Sequence, residues 1–293
     1  MRQAKGSHCQ DSMITTEASG SSLIQSGDTT GGVGAYTLAL SLDPTNYPAE
    51  FYLGLVAFQR QNTDEAVRHW QRVVQILDAL PADSSAEVME GRVETRGNTL
   101  NALVLASAQY LNRQQSAQAV TLLETLTRLL PNNPEAWYNY ALALNNLQRY
   151  TQLVPVAQRA TEIAPLSYGA WILYYNAYAG QSQAATQAGQ TAQAGELGRQ
   201  ARQISQRSEA LPVQLEGITI DVEAANTQVR GTAVGSGPTA PVQVEFTLHG
   251  AAGELGKGTV TITPPARDQQ APFELTIPNS APVLGVTYRV VGS

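Results

Sequence analysis

Acid–base, nucleophilic or metal chemistry in this chain would have to come from a short inventory: His8, His69 and His249, the single cysteine Cys9, and acidic pairs such as Asp64 and Glu65. A metal or catalytic centre needs several such side chains at ligand or hydrogen-bond spacing. The histidines fall in three separate segments, and no His, Cys, Asp or Glu set has that spacing. His69 adjoins Trp70 in a helical stretch and reads as structural, not as a ligand or general base. Cys9 has only His8 beside it in a polar stretch, so it reads as inert, and one cysteine excludes an intramolecular disulfide. Asp64 and Glu65 stand at a helix start, where carboxylates favour the macrodipole, and form a solvated face.

Phosphate chemistry fares no better. Gly256 and Lys257 look like the end of a phosphate-binding loop, yet Ala251 stands where the first glycine belongs and Gly258 replaces the serine or threonine. The flanking strand patterns make this a hairpin turn. Gly32 and Gly34 are followed by Thr37 instead of a third glycine. The Ser and Thr residues near the start lack a His and Asp partner set. The expectation is a protein that is not an enzyme and holds no cofactor and no metal.

Composition narrows the partners. A net charge of −6 and a pI near 5.1 give no broad basic field for nucleic acid or anionic membrane. With 43% hydrophobic and 14% charged residues over 293 positions, the chain has the makings of two packed domains. No window has the roughly 18 apolar residues of a membrane span, and the N-terminus lacks the apolar core of a secretory signal. As written the chain reads as cytoplasmic, but the absence of a signal leaves its location open. Met1 to Gly20 is rich in Ser, Thr and Gly directly upstream of a repeat, and a truncated start would open the cell envelope or periplasm.

The elements that could position a binding surface follow one period. Trp137 and Trp171, Pro131 and Pro165, Tyr36 and Trp70, Asp28 and Asn62, and Leu123 and Ala157 are each 34 residues apart. In the unit 134–167, Trp137, Tyr140, Ala141 and Leu144 form one apolar stripe, and Leu153, Ala157, Ala160 and Ile163 a second, with a turn near Gln148 and a stop at Pro165. Asn132, Asn133 and Pro134 supply the turn and helix start. Small residues such as Gly54, Ala66, Ser107, Ala119, Ala141 and Ala160 let paired helices approach closely.

This pattern resembles the tetratricopeptide repeat, with its aromatic opening residue, small first-helix residue, second-helix alanines and closing proline. The organisation expected is a flexible tail over 1–12, then repeats over 13–210. The repeats are a degenerate unit 13–46, a unit 47–80, an insertion 81–99, units 100–133 and 134–167, and an extended unit 168–210. Tyr36, Ala39 and Leu42 are assigned to the second helix of the degenerate unit. In the insertion, Asp83 or Ser84 is expected to cap a helix carrying Val88, Met89 and Val93 that merges into the next repeat. The run 181–193 reads either as a two-turn helix extension or as low-complexity disorder.

After Leu211 the apolar period becomes two: Val213, Leu215, Ile218, Ile220 and Val222, then Val242 to Leu248, then Val260 and Ile262, then Phe273, Leu275 and Ile277. About seven short strands over 211–293 predict a small Ig-like antiparallel β-sandwich. Phe246, Leu248, His249 and Gly250, with Pro272 and Phe273 downstream, resemble the FxLYD-type bacterial sandwich domain, with His249 and Gly250 in place of its Tyr and Asp. That resemblance implies an accessory domain of envelope-linked proteins without catalytic residues. The fold class is therefore multidomain, α then β: a tetratricopeptide-type α-solenoid of antiparallel helix pairs followed by the sandwich.

The tetratricopeptide resemblance implies a groove lined by first helices that holds a peptide segment or partner helix. The counterparts here are Phe51, Tyr52 and Phe58, then Val104, Ala108 and Asn112, then Tyr138, Asn139, Leu142, Asn145 and Asn146, then Ile172, Tyr175 and Asn176. The lining carries no Lys or Arg, which disfavours clamping of a C-terminal carboxylate. The competing reading packs many of these aromatics between repeats. At the level of function, an interaction scaffold with a protein or peptide partner stands against a structural, self-associating subunit of a bacterial envelope complex.

Overall fold

In the computed structural model, residues 22–24, 26–83, 85–223, 225–238 and 240–291 are described. Met1 to Gly20, with the tail expected over 1–12, His8 and Cys9, and the cap expected at Ser84 lie outside them. The chain divides into two compact units, 1–109 and 110–293.

The first unit holds α1 (Thr29–Leu42), α2 (Tyr47–Gln59), α3 (Thr63–Ala79) and most of α4 (Ala86–Asn112). Helix starts follow from side-chain caps: Asp28 accepts from Gly31 N, Asn46 from Ala49 N and Asn62 from Glu65 N. Helices α2 and α3 pack as a pair, with Leu53, Gly54 and Ala57 facing Ala66, Trp70 and Val73, all buried. Trp70 donates its indole N–H to Phe51 O at 3.2 Å, which satisfies the one polar atom of a ring only 1% exposed. Helix α4 is capped by Ser85, whose Oγ accepts from Val88 N, and not by Asp83; the Asp83 carboxylate instead accepts from Ser85 N. Val88 and Val93 are exposed there, as is Leu42 on α1, so none of the three serves the core.

The second unit holds α5 (Ser116–Leu129), α6 (Pro134–Asn146), α7 (Tyr150–Ile163), α8 (Tyr168–Gln187) and α9 (Thr191–Glu209), then six strands. Successive helices from α5 to α9 pack against one another. Asn133 and Ser167, one period apart, cap α6 and α8. Trp137 and Trp171 each donate to the carbonyl six residues back, Pro131 O at 3.1 Å and Pro165 O at 2.8 Å. The run 181–193 is two helix ends around a turn at 188–190.

Five helix ends share one device. Gly27, Gln61, Gln114, Gln148 and Gly189 all have positive φ, and in each case the next residue's N–H reaches back five residues to a helix carbonyl, as Asn62 N does to Ala57 O at 2.9 Å. They stand 34, 53, 34 and 41 residues apart, one 34-residue period with 19 residues added before the third and seven before the fifth.

The strands β1 (Gln214–Val222), β2 (Asn226–Val234), β3 (Val242–Gly250), β4 (Gly253–Ile262), β5 (Gln270–Pro278) and β6 (Gly285–Val290) form two antiparallel three-stranded sheets, ordered β1-β2-β5 and β4-β3-β6. Six strands among the described residues replace the seven expected from pattern. Phe246 is fully buried between Phe273, at 5.7 Å, and Tyr288, at 5.3 Å. Gly256 and Lys257 lie inside β4, paired with Leu248 and Thr247, so they are not the hairpin turn; that turn is Ala251 and Ala252. A bulge at Gly217, with φ 57°, accounts for the three-residue step from Leu215 to Ile218 within an otherwise alternating strand.

Candidate binding surface

The groove residues expected from sequence divide between the units. In the first, Phe58 is half-buried against Trp70, with ring centroids 5.5 Å apart. Tyr52 stacks on Tyr36 at 5.1 Å and Phe51 meets Tyr52 edge-on at 5.8 Å. These rings pack between helices, and only Tyr52 keeps substantial exposure, at 38%. Val104 is buried in α4 and does not reach a surface.

In the second unit Asn112 is exposed, and Asn145 and Asn176 are half-buried. Asn139 is buried, a correction to its place in the groove. It lies three residues after Ala136 and four before Ala143, both fully buried, on a side of α6 turned into the helical stack. Asn146 donates to Ser116 Oγ at 3.3 Å and so serves the helix pair. Tyr138 is half-buried with its ring over Gly169: a Cβ there would stand 3.0 Å from Tyr138 Cε2. This contact joins the first helices α6 and α8 side by side.

What the structure does bring together is a row on α8. Tyr168, Ile172 and Tyr175, at spacings of four and three, are exposed to 38%, 36% and 37%. The reverse side of the helix is buried through Ala170, Leu173 and Ala177, and on an adjacent side Trp171, Tyr174 and Tyr178 form a tilted ring series at 6.4 and 5.7 Å. Burial and neighbouring Tyr178 raise the Tyr174 hydroxyl above its ordinary pKa, so it stays protonated. None of the 20 residues of α8 is charged. Tyr168 is missing from the sequence-based set, although its place one turn before Ile172 could have found it.

Among the described residues no three His, Cys, Asp or Glu side chains converge on a metal position, and no helix is long and apolar enough to cross a membrane. His69 bonds Glu50 through Nδ1 at 2.6 Å.

A tetratricopeptide-repeat family model matches residues 18–84 and 107–168. The helices within these segments have the antiparallel pairing of a tetratricopeptide-type solenoid. Among solved structures, the chain is similar to a crystal structure of MamA protein, with 15% identity, 71% of this chain and 100% of that one covered, and a TM-score of 0.42. It is also similar to YrrB, described as a TPR protein with an unusual peptide-binding site, with 16% identity, 66% and 86% coverage and a TM-score of 0.39. MamA from Desulfovibrio magneticus RS-1 aligns at 13% identity, 67% and 96% coverage and a TM-score of 0.34. A search of curated proteins found no match.

Proposed function

We propose that the tetratricopeptide repeats form a non-catalytic scaffold that binds an apolar peptide segment or partner helix on the face of α8, with Tyr138 of α6 at its border. The exposed row Tyr168, Ile172 and Tyr175 carries this reading. Two tyrosines and an isoleucine one turn apart provide rigid apolar anchors with hydroxyls at their tips, a composition typical of energetic centres in protein interfaces. The uncharged helix offers a segment's carboxylate no partner, so recognition rests on apolar contact and on hydrogen bonds from Asn145 and Asn176. Panning a random peptide library against the chain and against a variant with Ile172→Ala and Tyr175→Ala tests it: peptides that bind both equally reject this surface.

A second reading, self-association as a structural or envelope-complex subunit, draws on Leu38 and Leu42, exposed to 53% and 42% on one side of α1. Light scattering over a concentration series that shows a monomer throughout removes it. We further assign the sandwich to an FxLYD-like accessory domain, supported by Phe246 and Leu248, which both point into its core from β3.

A further inference from the structure

Where the α5–α6 turn meets the sandwich, a chain of hydrogen bonds has its direction fixed at one end. Arg159 of α7, a permanent donor, gives Nη2 to Asn132 Oδ1 and to Pro131 O, both at 3.2 Å. The Asn132 amide is thereby oriented with its oxygen on the guanidinium and its Nδ2 on His249 Nδ1, 3.2 Å away. An amide nitrogen only donates, so His249 Nδ1 must accept. The ring proton then sits on Nε2, which donates to Thr287 Oγ1 at 2.8 Å.

The same spot holds the sandwich in other ways. Asn133 Nδ2 donates to Leu284 O at 2.8 Å, Leu284 N donates to His249 O at 2.8 Å, and Gly285 lies against the Asn132 backbone so closely that a Cβ would meet its carbonyl. A cavity of about 250 Å³, lined by Asn132, Arg159, Thr247 and Thr287 among others, opens beside the chain.

We propose that the Arg159–Asn132–His249–Thr287 chain is a pH-sensitive latch between the repeats and the sandwich, closed while His249 is neutral and loosened when it is protonated. Protonation places an N–H on Nδ1 against the Asn132 amide hydrogens. The amide cannot turn to accept it, because turning would set Nδ2 against Arg159. The surroundings agree in sign: burial lowers the His249 pKa from its ordinary value, Lys257 and Arg159 add to the lowering, and Glu254, its partner across the β3–β4 ladder, opposes it. Glu162, 3.4 Å from Arg159, and the Arg289–Glu245 pair at 2.8 Å complete the charges around the cavity. The loosening is local to Asn132, Leu284 and Gly285, since Leu166 and Val213 hold the sandwich elsewhere through the shared core.

The test is nuclear magnetic resonance on the full chain. Imidazole nitrogen shifts should show the Nε2–H tautomer at neutral pH, and His249 should titrate below the ordinary value. Asn132→Asp replaces the opposing donor with an acceptor and should raise the midpoint by at least one pH unit, a tenfold gain in proton affinity. Arg159→Gln frees the amide to turn and should raise it by less. Amide protection at Leu284, corrected for intrinsic exchange, should fall across the wild-type titration and stay flat in His249→Gln. An Nδ1–H tautomer, or midpoints unmoved in both Asn132→Asp and Arg159→Gln, overturns the latch.

Discussion

The indole of Trp70 lies against Gly54, so close that a Cβ at that glycine would fall 2.6 Å from Trp70 Cδ1. The ring occupies the volume a side chain would need. Gly54→Leu should therefore overpack the α2–α3 crossing and cost about 1–3 kcal/mol, and Gly54→Ala a measurable part of that. Urea titration of the full chain reads both, and an unchanged midpoint for the leucine variant would show that this crossing tolerates what its geometry forbids.

The two repeat tryptophans should differ in weight. Trp171 donates over 2.8 Å and packs on the sandwich core, whereas Trp137 donates over 3.1 Å and does not join that core. Replacing either with phenylalanine loses one hydrogen bond, about 1 kcal/mol. Trp171→Phe should cost more than Trp137→Phe in thermal melts, because it also loosens the sandwich contact.

Glutamine at a left-handed helix end is strained in a way glycine is not, by roughly 1–2 kcal/mol before the entropy of the unfolded chain is counted. Gln148, with φ 55°, is such a position. Gln148→Gly should stabilise the chain by up to about 1 kcal/mol, and Gln148→Val should destabilise it. Calorimetry that ranks the two variants in the opposite order would refute the strain argument.

Exposure at Tyr168, Ile172 and Tyr175 separates binding from folding. Alanine at each should cost about 1 kcal/mol, since more than half of each side chain is covered, well below a core truncation. Each should weaken a selected peptide by at least about tenfold if it is an anchor. Titration calorimetry beside a melt for the same variants gives both numbers.

Stability should also depend on acid. Burial holds the folded His249 below its unfolded value. The unfolded chain then binds more protons between the two pKa values, so stability rises with pH in that window. The contribution is present above the unfolded value, about 6.5, is lost as pH falls below it, and levels off under the folded value. His249→Gln should remove that part of the pH profile in denaturant titrations.

The 34-residue period was legible because its markers are chemically conspicuous: caps at Asp28 and Asn62, and tryptophans at 137 and 171 that bond back to prolines. Asn139 and Val104 were not, because a single-stripe reading assumes one buried face, while helices stacked on several neighbours bury more than one. Strand β2 escaped notice because Thr227, fully buried, carries part of its inward face and dilutes the apolar alternation. His249 stands at the β3–β4 bulge, and its partners Asn132 and Thr287 are 117 and 38 residues away. No local pattern encodes such a meeting. The α8 row was legible by spacing at Ile172 and Tyr175, and the same spacing extends it one turn back to Tyr168, next to the helix start at Ser167.

Ala164, Leu166, Leu211 and Val213 belong to the same hydrophobic cluster as Val244, Phe246 and Leu248 of the sandwich, and Leu215 N bonds Leu166 O at 2.9 Å. The change of sequence period near residue 211 is therefore not a place where folding can be divided. Helix α7, the loop after it and the two sheets should protect one another from hydrogen exchange as a single cooperative block. A protease cut near residue 211 would strip both sides of a core they share.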